Sequence, residues 1–338
     1  MINLSPRQKK VLAYVGFPLF YLVALVVFVR VTFPYETVRR RLLAEYNTQQ
    51  SDQFLEIEHL SGSGMFGVEA EGVRLVEVVS TLAEVEAGPP KVLVVEEATI
   101  GLGVLSYLFG NIAVDFAAKV EGGDLVGDFF QDSTGARINV SGSSIDMSGL
   151  TLLSAGLGLP LDGQLGGQVE LFLPGGQMKK AEGSFSLTVD QLTVGDGKAK
   201  IRNTIALPKL NAGVLNFQAK AVDGRLDIEK FTANGKDFEL SAEGKLRLRE
   251  PFDKSTVAVD ATFKFKEAYT AQNDITKSIF GAPDSKVPGL FDMDPMVRRA
   301  KQPDGAYSWN VTGLLGKPKF EGGRRRGAAA GSRAEPDE

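Results

Sequence analysis

The stretch "KDFELSAEGKLRLRE", residues 236–250, decides the fold of this chain. From Phe238 the even positions are Phe238, Leu240, Ala242, Gly244, Leu246 and Leu248. The odd positions between them are Glu239, Ser241, Glu243, Lys245, Arg247 and Arg249. A period of two sends successive side chains to opposite faces of a strand, so one face is apolar and the other charged. Something has to cover the apolar face.

The pattern recurs on both sides. "TVAVDATFKFK" (256–266) sets Val257, Val259, Ala261, Phe263 and Phe265 against Thr262, Lys264 and Lys266. "VLNFQAKAV" (214–222) opposes Leu215, Phe217, Ala219 and Ala221 to Asn216, Gln218 and Lys220. "GSFSLTVDQL" (183–192), "QVELFL" (168–173), "IAVDFAAKVEG" (112–122) and, more weakly, "ARINVSGSSIDMSG" (136–149) follow the same rule. "MFGVEAEGVRL" (65–75) changes phase at Gly72, as a bulge does. In "FLEIEHL" (54–60), Leu55, Ile57 and His59 share one parity, which places the histidine inward near a strand end.

Turn signals separate these runs: Pro174-Gly175-Gly176, Gly195-Asp196-Gly197, Asp223-Gly224 and Asn234-Gly235. Hairpin follows hairpin, so the implied unit is an antiparallel meander. No fixed-period repeat is present.

Helical patterning is scarce. Residues 150–159 and 267–281 predict two short helices, too little to cover that much apolar strand surface. Apolar surface left in water costs about 25 cal/mol per Å². The sheet therefore has to shelter its own face, either as a closed sandwich or as a curled, taco-like sheet around an elongated groove. A strand of about 12 residues spans about 40 Å. The expected fold is mainly β: an N-terminal transmembrane helix, then an extended antiparallel curled sheet with a few short helices. The candidate groove or core face consists of Leu215, Phe217, Phe238, Leu240, Leu246, Leu248, Val257, Val259, Phe263 and Phe265.

Ahead of the strands, residues 11–29, "VLAYVGFPLFYLVALVVFV", carry no charge and fill the length of about 20 residues that a membrane-crossing helix needs. Val11, Phe20, Leu25 and Val29 sample this anchor. The run is longer than a signal-peptide core, and no small-x-small cleavage pattern follows, so the expectation is an uncleaved anchor over 11–33. Basic residues flank both ends, so charge does not orient it. Residues 1–10 form no domain and are assigned to the cytoplasm, which puts the bulk of the chain in the periplasm. A membrane-proximal helix is expected over 34–53, with Val38, Leu42 and Tyr46 spaced by four beside Leu43; its three arginines face either lipid headgroups or solvent. Residues 54–320 form the β-rich domain, with a subdivision possible near 150–165. Residues 321–338, with no aliphatic larger than alanine, read as a disordered tail.

Reactive chemistry is sparse. The 338 residues contain no cysteine and one histidine, His59, so thiolate metal sites and disulfides are excluded and a zinc site or nucleophile–histidine relay is nearly so. The "DMD" of Asp292 and Asp294 is too short for a calcium loop. The net charge of −4 argues against nucleic acid. Trp309, the only tryptophan, alternates inward with Val311. No catalytic, cofactor or metal residues are assigned, and the chain is expected not to be an enzyme.

An N-terminal span ending in "FPY" (33–35), a basic helix and a β-rich body containing "GLGLPLDGQLGGQVEL" (156–171) together resemble the general secretory pathway protein N family, in its myxobacterial and deltaproteobacterial form. The likeness covers about residues 1–320. "GLPLDGQLGG" (158–167) is its most distinctive string and is also similar to strings of AsmA-like envelope proteins. Gly158, Leu159, Pro160, Leu161 and Gly163 match the motif, and their expected role is turn geometry. The resemblance implies a single-pass inner-membrane accessory of type II protein secretion that binds other secretion subunits. The AsmA-like similarity implies instead a lipid-binding or lipid-transfer protein, with acyl chains of phospholipid or lipopolysaccharide in the groove. Neither implies a cofactor.

Overall fold

Asp223 and Gly224 show how the chain makes its sheet. Both adopt left-handed backbone, with φ of 49° and 69°. Two consecutive positive φ values match the twist of the flanking strands, so the chain reverses in two residues and pairs Val222 with Arg225. Repeated reversals of this kind build the fold.

The computed structural model describes residues 12–49, 53–77, 92–150, 159–197, 200–201, 205–206, 208–281 and 288–323. A π-helical turn, Leu12–Gly16, runs into helix α1 (Phe17–Thr32), and α2 (Tyr35–Gln49) follows. Strands β1 (Gln53–Ser63), β2 (Gly67–Glu77) and β3 (Val92–Leu102) lead to α3 (Val104–Leu108). Next come β4 (Ile112–Val120), β5 (Gly123–Gln131), β6 (Gly135–Asp146), β7 (Leu161–Pro174) and β8 (Glu182–Val194). A two-residue pair, β9 (Lys200–Ile201) and β10 (Ile205–Ala206), stands apart. The main series resumes with β11 (Leu210–Val222), β12 (Arg225–Asn234), β13 (Phe238–Arg247) and β14 (Thr256–Phe265). Helices α4 (Glu267–Thr270), α5 (Asp274–Phe280), α6 (Leu290–Met293) and α7 (Pro295–Ala300) precede β15 (Tyr307–Leu314) and β16 (Lys317–Gly322).

Apart from β9 and β10, the strands form one open, curled, 14-stranded antiparallel sheet in strict chain order from β1 to β16. A single sheet answers the question left by the alternation: the fold is the curled alternative, not the sandwich. The β6–β7 ladder runs from Gly135↔Pro174 to Asp146↔Gln164.

An open sheet has two edges, and bare edges invite strand addition. Helix α2 covers β1. Asn47 acts there like a neighbouring peptide group: its Nδ2 donates to the Leu55 carbonyl at 3.0 Å, and its Oδ1 accepts from the Leu55 N–H at 2.7 Å. Arg39 donates to the Ile57 carbonyl at 2.6 Å and to Glu36 at 2.9 Å. Of the three arginines expected to meet headgroups or solvent, Arg39 is thus part of the edge cap. The helix turns Tyr35, Val38, Arg39, Leu43, Tyr46 and Asn47 toward the sheet and leaves Leu42 44% exposed, because a 3.6-residue period carries the buried stripe past a strict spacing of four. At the other edge, β16 carries Pro318 between Lys317 and Lys319, residues that discourage further pairing.

Several expectations need correction. Leu161 and Gly163, expected in a turn, lie within β7, where Leu161 is buried against Met147, Val189 and Leu192. Leu159 and Pro160 precede the strand, and Pro160 accepts from the Gly195 N–H at 2.9 Å; Gly158 lies outside the described residues, as do Val11 of the anchor and 151–158 of the expected helix. His59 is exposed, because the buried parity passes from Ile57 to Leu60 across the 58/72 position, where Gly72 has φ 61°. The residue sum of the β1–β2 pairs stays constant across it, so both strands change face together without an inserted residue. The helix expected over 267–281 is two pieces, α4 and α5, the second begun by an Asn273–Thr276 capping box. β16 reaches Gly322, inside the expected tail.

The edge cap yields the first prediction. Asn47→Ala removes both bonds to Leu55 and should cost about 1–3 kcal/mol, read as a lower thermal midpoint of the full chain in detergent. Self-association through the bared β1 edge should rise, measured by light scattering. An unchanged midpoint and mass would show that the amide is not capping the edge.

Candidate functional site

Directly paired residues on antiparallel neighbours point to the same face of a sheet. One such file crosses all 14 strands: Gly62, Val68, Ile100, Phe116, Gly127, Val140, Val169, Phe185, Ala219, Ile228, Gly244, Val259, Val311 and Phe320. It contains no polar side chain. At roughly 4.8 Å per strand it is about 60 Å long. One residue further along the strands, on the opposite face, the file reads Gly101, Asp115, Asp128, Asn139, Glu170, Ser184, Lys220, Asp227 and Lys245. The sheet is oily within and charged without along its length.

The apolar floor is wider than one file. Two residues away, Val114, Phe129, Ile138, Leu171, Gly183, Ala221, Leu226, Leu246 and Val257 run parallel to it. Small residues let the large ones lie flat. A Cβ on Gly127 would stand 2.5 Å from the Phe116 ring and overlap the Asn139 carbonyl.

Burial changes along this trough. Around β7, β8 and β11 the inner side chains are covered: Val189, 4% exposed, packs with Met147, Leu161 and Leu192, while Ala219 and Ala221, 2% and 1% exposed, pack with Ala181, Leu226 and Leu248, and Met178 of the short 3-10 turn Met178–Lys180 lies against them. Near β3 and β4 the floor opens, and Ile100, Leu102 and Ile112 are 44%, 56% and 45% exposed. Most residues between are half-buried, and the described residues form no continuous second layer above them. Among the described residues, α2 packs on β1, α3 on β4, and α7 on β15 and β16, and the 3-10 turn Met178–Lys180 packs on β7.

Helices α4 to α7 close the far end. Phe265 packs against Phe280 at 4.6 Å, Phe291 at 5.8 Å and Tyr269 at 6.1 Å between ring centroids, and Phe263 stacks on Tyr307 at 5.5 Å. Tyr269 donates to the Pro208 carbonyl at 2.7 Å, and Tyr307 donates to Asp292 Oδ1 at 2.8 Å. Lys301 pairs with the other Asp292 oxygen. Burial raises the Tyr269 hydroxyl above its ordinary range, helped by the charge of Asp237. Burial also raises Tyr307, with its bond to Asp292 and that carboxylate's charge. The "DMD" carboxylates are thereby explained as structure: Asp292 anchors this plug, and Asp294 caps α7 through the Met296 N–H at 2.7 Å.

The ten candidate groove residues separate along the trough. All share the inner face. Leu215, Phe217, Leu240, Leu246 and Val259 are half-buried there, whereas Leu248 and Val257 are 4% and 8% exposed. Phe238, Phe263 and Phe265 belong to the aromatic plug rather than to an open floor. The sequence reading missed the matching floor of β2 to β6 as a candidate surface. It also missed the apolar tip "VLSYLF" (104–109), flanked by Gly103 and Gly110, whose lack of charge between two strands is its only signal. Trp309 is partly buried, and its Nε1 has no hydrogen-bond partner among the described residues. Among the described residues no group of acidic or histidine side chains is placed to hold a metal. Among the described residues one helix, Tyr14–Thr32, is long and apolar enough to cross a membrane.

Comparison with protein-family models, with curated proteins and with solved structures finds no match to this chain.

The plug titrates in a defined direction. Both tyrosines favour the neutral form when folded, so the unfolded chain loses those protons first as pH passes 10, the ordinary tyrosine value. Their contribution is complete below pH 10 and is lost as pH rises above it. Tyr269 and Tyr307 should both ionise above the ordinary tyrosine range in an absorbance titration of the folded chain. Tyr307→Phe should cost about 1–3 kcal/mol at neutral pH, because Asp292 loses a charged hydrogen bond, and should remove one late-ionising group.

Proposed function

We propose that the protein is a membrane-anchored carrier that holds lipid acyl chains along the inner face of its sheet. The observation that carries this reading is the unbroken apolar file across 14 strands, over which the described residues lay no continuous second layer. Fully burying one large aliphatic or aromatic side chain is worth about 1.5–3 kcal/mol. Several half-covered ones leave a similar sum unrealised in water, and hydrocarbon chains laid in the trough recover it. The floor lacks the convergent polar groups that fix a small polar ligand, so selection acts on acyl character rather than on one headgroup. Helix α1 anchors the chain in the bacterial inner membrane, with the sheet in the periplasm, and the role is non-catalytic. The likeness of "GLPLDGQLGG" (158–167) to AsmA-like strings supports the same assignment.

A second reading follows from the resemblance to the general secretory pathway protein N family. The outer edge of β16 is unpaired and Phe320 is 51% exposed. A secretion subunit adding a strand there would make the protein a scaffold of the type II apparatus. Pro318 and its flanking lysines restrict that pairing to a partner that tolerates a missing N–H.

Two matched substitutions test the carrier. Ile100 and Val126 are 44% and 47% exposed, but Ile100 lies on the inner file and Val126 on the outer face. Phospholipid bound to the purified full chain is quantified by mass spectrometry after detergent exchange. Ile100→Asp should lower lipid per chain severalfold, while Val126→Asp leaves it unchanged and both fold. Equal lipid in the two variants, or none in the parent, would sink the acyl-carrier reading. For the scaffold, a photo-crosslinking residue at Phe320 should capture an identified secretion subunit in cells; its absence from the adducts removes that reading.

A further inference from the structure

The open end of the trough lies against the anchor. Arg30 Nη2 donates to the Gly62 carbonyl at 3.1 Å and ties the end of α1 to β1. Gly62 has no side chain because the Tyr35 hydroxyl occupies the place of its Cβ. From this tie the β1–β2 turn runs back along the helix. Met65 shares one cleft with Leu22, Val23, Val26 and Val27, and a second cleft, of about 390 Å³, lies between Leu25, Val26 and Val29 on α1 and Phe66 of the β1–β2 turn, Leu102 of β3 and Val104 of α3.

These neighbours set a depth. At 1.5 Å per residue, Val29 and Leu22 lie about 5 and 15 Å along the axis from Thr32. If α1 crosses a bilayer whose hydrocarbon is about 30 Å thick, whatever packs beside Leu22 to Val29 is inside one leaflet. The composition of the tips agrees. Neither Gly64–Val68 nor Val104–Gly110 contains a charge. Met65 is 68% exposed, and on α3 and just after it Leu105, Tyr107, Leu108 and Phe109 are 72%, 72%, 73% and 82% exposed. So much contiguous apolar surface beside a membrane helix is an interfacial anchor in composition, with Tyr107 suited to the headgroup level.

We propose that the β1–β2 turn and the α3 tip insert into the leaflet beside α1, so that the sheet stands on the membrane at three points and its trough opens into the acyl region. The inner file begins there with Gly62, Val68 and Ile100, so a lipid chain moving sideways from the leaflet reaches the floor without crossing water. The insertion rests on the membrane-anchor reading of α1, not on what the trough carries.

The chain has no cysteine, so single replacements report on one site each. Met65→Cys, Leu108→Cys, Leu22→Cys and Ser241→Cys full-length proteins, the last on the outer face of β13, carry an environment-sensitive fluorophore. They are reconstituted in vesicles of phosphatidylethanolamine and phosphatidylglycerol. Labels at Met65 and Leu108 should lose intensity to a quencher carried on the lipid chains, as the label at Leu22 does, and resist aqueous iodide. The label at Ser241 should do the reverse. Iodide quenching at Met65 and Leu108 with Leu22 protected would overturn the insertion and leave the anchor standing. Iodide quenching at Leu22 as well would remove the anchor and the insertion with it.

Discussion

A strand that is oily on one face needs a second layer, and the described residues supply almost none. The cost of leaving that face in water governs the architecture. With little helix among the described residues to cover it, the sheet curls over its own face. Around β7, β8 and β11, where the shelter is most complete, Val189 and Ala219 are buried by neighbours on the sheet and by Met178 and Ala181 of the β7–β8 connection. Where it relaxes, around β3 and β4, Ile100 and Leu102 remain uncovered. Shelter is thus partial and graded, and the graded remainder is the candidate binding surface.

The ends of the sheet are handled by different means. Asn47 and Arg39 complete the hydrogen bonding of β1 with side chains, which stops strand addition without adding a strand. At the far end, Phe265, Phe280, Phe291 and Tyr307 fill the trough with rings, while Asp292 accepts from Tyr307 and pairs with Lys301 to hold the helices that carry them. Among the described residues the end beside α1 has no such plug. Its apolar tips lie beside α1, and a trough closed at one end and open at the other has a direction.

Much of this architecture can be read from residue order. The alternation in 214–222, 236–250 and 256–266 assigns strand and face for each residue, because a period of two is a local property of extended backbone. Asp223-Gly224 marks its reversal for an equally local reason, its left-handed backbone; Asn234-Gly235 also lies at a reversal, but there a Cβ on Gly235 would run into the backbone of Asn211 and Ala212. Errors arise where geometry depends on a neighbour. His59 reads as inward by parity, yet both β1 and β2 change face together at 58 and 72. Leu161 and Gly163 read as a turn by composition, yet Leu161 pairs with Val194 of β8 and Gly163 sits at the register shift between Asp162 and Gln164 within the same strand.

The sequence by itself determined the class of the protein: one membrane-length helix, a long antiparallel meander, an oily face and a charged one. Periodicity, turn chemistry and hydropathy act within a few residues, and each is complete in the string. Tertiary structure alone decided that the sheet stays open and curls, that the apolar residues of all 14 strands align into one file, and that the file begins beside α1. Register between strands and the curvature of a sheet are set by contacts between residues far apart in the chain, and no local pattern records them.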